Sequence, residues 1–437
     1  VKLLVLGSGG REHALAWRLS RDPDVTEVLT APGNPGTAGI GRAIPVDLAV
    51  PEGVLALARR ERVDLTVVGP EAPLERGIAD VFRAAGLPIV GPSKHGAGLE
   101  CSKAFAKAFM ARYRIPTADF VVCDALEDAL AAVNGDRFGF PVVIKADGLA
   151  AGKGVVIAAD RAEAETAIRA AMVDRQFGAA GARLVIEECL TGPEVSYFVL
   201  ADGRDAIDLG TAHDHKRIFD DDRGPNTGGM GAFAPSPILT AAQAREVKEK
   251  IVAPVLAGFA ADGDPYRGFL YVSLMLTPRG MKVIEFNVRL GDPETQAILP
   301  LLEGPFARAL LASAAASVRD TALRFSGQCA VGVVVASHGY PASSDPGRVI
   351  HGLDAVGDRD VFVFHSGTRR AGDEIVTAGG RVLTVVGRAD TFEAAMDAAY
   401  AAVGGIRFDG MQYRRDIGRK ALTNGAAGLQ TGRLRPV

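Results

Sequence analysis

Short apolar runs and helix-spaced apolar residues alternate through the first hundred positions of the chain. Residues 3–6 are a continuous apolar run ending in glycine, and 25–30, 65–68 and 88–90 read as further buried strands. Between them, 11–19, 54–60 and 77–85 carry the 3.6-residue spacing of helices. Strands that alternate with crossover helices predict an open parallel sheet, Rossmann-like, over residues 1–101. The turn Gly91-Pro92-Ser93 leads into an amphipathic helix over 103–113, which opens a second unit.

From 102 to 326 the pattern is mixed. Strands at 142–145, 155–158, 184–188 and 282–287 are interspersed with helices at 161–173 and 242–258. This is α+β rather than strict βαβ. A small subdomain is expected over about 120–190. A strand-rich C-terminal α+β block runs from 327 to 437, with one helix at 391–403. The tail 426–437 is polar and glycine-containing and is expected to fray. The fold class is thus multidomain α/β and α+β.

Composition narrows the function. A chain of 437 residues exceeds one ordinary core. Lys+Arg total 49 against 52 Asp+Glu, a net charge of −3, which argues against capture of nucleic acid or an anionic membrane. The four cysteines are scattered, with no metal spacing, so a reducing cytoplasm is expected. No stretch approaches the roughly 18 apolar residues of a membrane span.

Gly7-Ser8-Gly9-Gly10-Arg11-Glu12-His13 follows a strand and opens a helix, a context that aims backbone N–H groups at an anion. It is not a dinucleotide fingerprint. Glu12 takes the third glycine position, and the second strand ends without the acid that binds a ribose. A phosphate-bearing small molecule fits better. Glu71, in Val67-Val68-Gly69-Pro70-Glu71, stands at another strand end and suits ribose hydroxyls.

A second glycine loop, Lys145-Ala146-Asp147-Gly148-Leu149-Ala150-Ala151-Gly152-Lys153-Gly154, has three residues between its first glycines and a strand after it. That excludes a Walker loop and predicts a hairpin tip folding over phosphates. Lys145 presents a charge at a strand end, and Lys103 another. In Ile284-Glu285-Phe286-Asn287-Val288-Arg289, alternation puts Glu285, Asn287 and Arg289 on one face, with Ile284 and Phe286 toward the core. One carboxylate and one amide oxygen suit Mg²⁺; an arginine beyond them suits a carboxylate or acyl phosphate.

These features resemble the ATP-grasp superfamily, and their fuller strings resemble the glycinamide ribonucleotide synthetase family. The further strings are Gly69-Pro70-Glu71-Ala72-Pro73, His215-Lys216-Arg217, Gly224-Pro225-Asn226-Thr227-Gly228-Gly229-Met230-Gly231, Gly291-Asp292-Pro293-Glu294-Thr295, Gly379-Gly380-Arg381 and Asp416-Ile417-Gly418. The resemblance spans nearly the whole chain. It implies ATP as co-substrate, Mg²⁺ or Mn²⁺, and ligation of glycine to 5-phosphoribosylamine through glycyl phosphate. It implies that Glu187 and the backbone of Glu188 and Leu190 read adenine and that Glu194 takes the ribose. Lys103, Lys145, Gly148, Gly152, Lys153 and Gly154 would hold phosphates, and Glu285 and Asn287 the metal. Lys216 and Arg217 would close on the γ-phosphate and substrates. Arg289 and Asp292 would receive glycine, and Gly9, Gly10, Arg11, Glu12 and Glu71 the phosphoribosylamine. Lys145, Lys216 and Arg289 are the expected catalytic groups. The partners implied are small molecules, with neither nucleic acid nor membrane, and a transient contact with the preceding pathway enzyme. The rivals are another carboxylate–amine ligase or carboxylase of this superfamily and a non-catalytic ATP-binding module. Two departures stand out. The strand before Glu285, Tyr271-Val272-Ser273-Leu274-Met275, has no acid, and Ser273 replaces the family's glycine.

Overall fold

The computed structural model describes residues 1–135, 137–149, 154–321, 323–355 and 359–425; the 426–437 tail lies outside them. The first sheet holds β1 (Lys2–Gly7), β2 (Glu27–Pro32), β3 (Arg42–Ala43), β4 (Leu65–Val68) and β5 (Ile89–Val90). Their order is β3-β2-β1-β4-β5 and every pairing is parallel. Leu3, Leu4, Val5 and Leu6 of the central strand are all fully buried, as a run covered on both faces must be. Helix α1 (Gly10–Leu19) follows β1. A helix that the periodicity did not predict, Lys94–Cys101, precedes Lys103–Arg112. Gly96 and Gly98 inside it blur the helical signal.

The small subdomain is a four-stranded antiparallel sheet in the order β6-β9-β7-β8. Its strands are β6 (Phe120–Cys123), β7 (Val142–Ala146), β8 (Val155–Ala158) and β9 (Leu184–Glu188). Helices Leu126–Asn134 and Arg161–Met172 close a core of its own over one face. β7 and β8 pair with Lys145 opposite Val155, so the glycine loop between them is the predicted hairpin tip.

The remaining strands in chain order are β10 (Glu194–Asp202), β11 (Ala206–Asp214), β12 (Arg217–Phe219), β13 (Arg223–Asn226), β14 (Gly231–Ala234), β15 (Arg267–Thr277), β16 (Gly280–Asn287), β17 (Leu302–Glu303), β18 (Arg324–Phe325), β19 (Cys329–Ala336), β20 (Val361–His365), β21 (Thr368–Ala371), β22 (Glu374–Thr377) and β23 (Arg381–Ala389). Eight of them form one sheet in the order β16-β15-β10-β11-β14-β19-β23-β20. The strand-rich C-terminal block is therefore not a separate sheet. β14 pairs with β19, Gly231 opposite Val333 and Ala234 opposite Ala330, and carries the central sheet into it. The helix expected at 242–258 is interrupted. It runs as Ala241–Val247, a π turn over Lys248–Val252, then Ala253–Ala261. Pro254 has no N–H for the preceding turn, and the wider turn accommodates that loss.

Candidate active site

On β16, Asn287 lies opposite Tyr271 and Glu285 opposite Ser273, but the next pair is Val283 with Leu274. Ile284 is thus an extra residue, a β-bulge. The bulge resets the alternation: Met281 and Val283 share a core with Phe286 and Val288, while Ile284 is only half-buried. Sequence alternation placed Ile284 in that core; Val283 occupies the place instead. The opposite face is polar. Ser196 pairs with Ser273 across the strands, and its hydroxyl is 2.9 Å from that of Tyr271. Ser196, Tyr271, Ser273, Glu285 and Asn287 therefore form a strip across three strands.

The lid sheet meets this strip. The Lys145 ammonium, almost fully buried, stands 3.5 Å from the carbonyl oxygen of Ile284. It also pairs with Glu187, whose other carboxylate oxygen is held by Lys107. Glu187 is 2% exposed. The expected adenine contact through its side chain is not open in this arrangement, since two ammonium groups occupy that carboxylate. The side chain of Glu188 is likewise engaged, by Lys282 and Arg279, leaving the backbone of 188–190 as the free edge beside half-buried Leu190. Lys107 escaped sequence reasoning, although a lone charge between Ala104 and Met110 on an apolar stripe was a signal. Burial lowers its pKa and Glu187 offsets the drop.

Lys103 donates to the Gly148 carbonyl at 2.8 Å. Asp147 accepts from Ser102 Oγ at 3.0 Å and from the Ala104 N–H at 3.1 Å, fastening the base of the lid to the start of helix Lys103–Arg112. Gly148 has φ +133°, a conformation that suits glycine. Gly154 is buried, and its carbonyl accepts the Ala146 N–H at 2.8 Å. Gly152 and Lys153, expected on phosphate, lie outside the described residues. Burial raises the pKa of Glu285, but Lys216, Lys145 and Lys103 together carry it below the usual carboxylate range. Burial lowers that of Lys103, with Glu285 opposing. These three lysines thus surround one carboxylate.

At the first glycine loop the Glu12 carboxylate accepts the Gly9 N–H at 2.7 Å and takes Arg11 Nε at 2.5 Å. Arg11 also donates to the Leu290 carbonyl at 3.2 Å. Both side chains are buried, so they shape the loop rather than face a ligand, contrary to expectation. A Cβ on Gly69 would overlap the Glu12 carboxylate, which is why β4 ends in glycine. Gly10 packs on Gln296 and Ser366, and Gly9 is half-buried. Asn34, also missed, donates to the Ser8 carbonyl at 2.9 Å and the His365 carbonyl at 2.8 Å.

Arg289 joins the units. Its guanidinium is 2.8 Å from Glu100 and 3.4 Å from Glu71, and donates to Asn287 Oδ1 at 3.1 Å. Glu100, not expected from sequence, also accepts the Val288 N–H at 2.8 Å. Burial lifts its pKa, with Arg289 opposing. Burial also raises that of Glu71, but Arg289 and Arg11 outweigh it. Asp292 would lie 3.5 Å from a Cβ on Gly9, so the first glycine loop faces this strand end. Both Asp292 oxygens are occupied: Gln296 Nε2 is 2.7 Å from one and Arg381 3.3 Å from the other. Arg381 further donates to the Gly228 carbonyl at 2.5 Å and the Asp292 carbonyl at 2.7 Å.

Glu194 pairs with Lys216 at 3.0 Å, both partly exposed. The 226–231 loop docks on Lys216 through Thr227, whose N–H donates to the Lys216 carbonyl at 2.7 Å. Arg217 donates to the Gly224 carbonyl at 2.7 Å within the β12–β13 hairpin. Among the described residues no three His, Cys, Asp or Glu gather as a metal nest. Glu285 and Asn287 beside three lysines fit an ion that takes its remaining ligands from phosphate and water.

Three family models cover the chain: "Phosphoribosylglycinamide synthetase, N domain" at 1–100, its "ATP-grasp (A) domain" at 101–295, and its "C domain" at 330–420. The chain is 49% identical to a phosphoribosylamine–glycine ligase of Ralstonia nicotianae, over 97% of this chain and 100% of that one. The crystal structure of a phosphoribosylamine–glycine ligase from Thermotoga maritima superposes with TM-score 0.83 at 35% identity, covering 95% and 100% of the two chains. A biotin carboxylase domain from Hydrogenobacter thermophilus, in complex with magnesium ADP and bicarbonate, shares the fold at TM-score 0.70 and 19% identity, over 94% and 91%.

Proposed function

The chain belongs to the phosphoribosylglycinamide synthetase family, and from that premise we propose how its cleft carries out the ligation. ATP, glycine and 5-phosphoribosylamine are converted to glycinamide ribonucleotide, ADP and phosphate, a carbon–nitrogen ligation of purine biosynthesis. A carboxylate is a poor acyl donor because oxide is a poor leaving group. The γ-phosphoryl group passes to a glycine carboxylate oxygen. The ribosylamine nitrogen then attacks the acyl carbon, the carbon–oxygen bond breaks, phosphate leaves, and the amine gives up a proton. No protein nucleophile is needed, so positioning and charge dominate.

Lys103, Lys145 and the lid loop from Gly148 to Gly154 hold the nucleotide phosphates, with Gly152 and Lys153 at its tip. The adenine lies against the backbone of Glu188 and Leu190, and Glu194 meets the ribose. A divalent ion at Glu285 and Asn287, Mg²⁺ with Mn²⁺ as substitute, neutralises phosphate charge. Lys216 and Arg217 close over the γ-phosphate. Arg289 faces the developing acyl phosphate, while Gly9, Gly10 and Glu71 receive the phosphoribosylamine. The lid keeps water from the acyl phosphate. Small polar substrates suit a cytoplasmic setting; a transient contact with the enzyme that makes the amine fits its role as an intermediate. Among the described residues no helix is long and apolar enough to cross a membrane.

The observation that carries this reading is the meeting of Lys145 with the Glu285 strand in the cleft that the first glycine loop also faces. The test is ADP release with freshly made phosphoribosylamine. Release is expected only when glycine is present. No glycine dependence, or equal release with formate or bicarbonate, overturns it.

A further inference from the structure

We propose that Asp214, with Glu294 beside it, receives the α-ammonium group of the glycine substrate. The inference deepens the reading above and rests on it. Asp292 was the ammonium partner expected from sequence, but Gln296 and Arg381 occupy its two oxygens. Asp214, at the end of β11, is differently placed. Its Oδ1 is sealed from solvent and makes no hydrogen bond among the described residues. A buried carboxylate oxygen without a donor is costly, and a site that a ligand completes is where such a cost is retained.

The surroundings fit a compact cation. Glu294 is 3% exposed, and the hydroxyl of Ser196 reaches it only at 3.5 Å. Gly229, at φ +114°, lies over Asp214: an added Cβ would stand 2.7 Å from Oδ1 and press on Pro293. The missing side chain keeps the approach to this carboxylate narrow but open. Burial and the Glu294 carboxylate hold the Asp214 pKa well above the usual range, with Lys216 and Arg381 opposing. A positive charge arriving between the two acids relieves both terms. Two carboxylates are too few oxygen ligands for a divalent ion, whereas an ammonium brings three donors. The Asp214 strand belongs to the same sheet as Glu285, so an amino acid held here reaches toward the phosphate-binding strip.

The experiment compares Asp214→Asn, Glu294→Gln and the wild type in glycine-dependent ADP release. In Asp214→Asn the glycine KM is expected to rise about tenfold to a hundredfold, the worth of a charge-assisted contact, with the ATP KM within about twofold. Preference for glycine over glycolate, which lacks the ammonium, falls by the same factor. Glu294→Gln shifts the same constants in the same direction. A glycine KM and glycolate discrimination unchanged in Asp214→Asn overturn the proposal. If a variant releases no ADP, equilibrium dialysis of labelled glycine with a non-hydrolysable ATP analogue decides: loss of binding supports the proposal and wild-type binding overturns it. The apo Asp214→Asn protein melts no lower than wild type, because the change removes an unpartnered buried acid; a lower melting temperature overturns the proposal. Wild type with no glycine-dependent turnover defeats the ligase reading itself, a separate result.

Discussion

Lys145 and Ile284 meet across two sheets: the ammonium that ends a lid strand stands 3.5 Å from the carbonyl of the bulged residue beside Glu285. Because Ile284 is an inserted residue, its side chain leaves the core and the next residues turn Glu285 and Asn287 into the cleft. The bulge therefore joins the expected metal ligands to the expected phosphate lysine.

Replacing Glu285 by alanine removes the only carboxylate among three lysines. Turnover is predicted to fall by at least about a hundredfold, the usual loss for one electrostatic group. Circular dichroism is expected to remain that of the folded protein. Activity near wild type would refute the metal role.

Gly69→Ala puts a methyl group into the space of the Glu12 carboxylate. The Gly9 N–H then loses its acceptor. We predict a stability loss of about 1–3 kcal/mol in urea unfolding, together with a raised KM for phosphoribosylamine. Equal midpoints in urea would show that Glu12 does not lock this loop.

Arg381 ties the 226–231 loop to the Asp292 strand end from the C-terminal part of the sheet. Arg381→Lys keeps the charge but loses the fork that spans Gly228 and Asp292. The predicted result is a kcat/KM for glycine lowered about tenfold or more, with the KM for ATP unchanged. A parallel loss in both substrates' KM values speaks against a positioning role.

Four histidines are buried with depressed pKa values. Desolvation by burial brings His13 and His215 to about 3 and His213 and His365 to about 4, from 6.5. Their folded pKa lies below the unfolded one, so below pH 6.5 the unfolded chain binds more protons. Stability is complete above that pH and falls as pH drops toward 4, by up to roughly 1.4 kcal/mol per unit for each imidazole. Urea midpoints measured from pH 7.5 to 5 check the sign. His13 accepts the backbone N–H of His365 at 2.8 Å, so His13→Phe is expected to flatten the slope. A midpoint independent of pH contradicts the burial of these rings.

Much of the fold was legible because each strand of the first sheet is a local apolar run, and β7, β8 and β9 are bounded by glycines and polar turns. Glu285, Asn287 and Arg289 were found because a strand alternates and their chemistry is distinctive. Glu100 was not: it sits in an ordinary helix and meets Arg289 only through a contact 189 positions away in the chain. Asp214 stood beside a recognised string with nothing local to show that its carboxylate lacks a partner. Glu294 and Arg381 lay inside motif strings, but their contacts cross from one part of the sheet to another.

What the chain's own order determined is the set of local devices: buried parallel strands, two glycine loops, and a polar strand face suited to a divalent ion. Those depend on periodicity and turn chemistry within a few residues. Which groups are free for a ligand was decided only by folding, since that depends on partners distant in sequence. The fold commits Arg11, Glu12, Glu187 and Asp292 to internal contacts and leaves Asp214 without one, because hydrogen bonds and burial are properties of the assembled cleft.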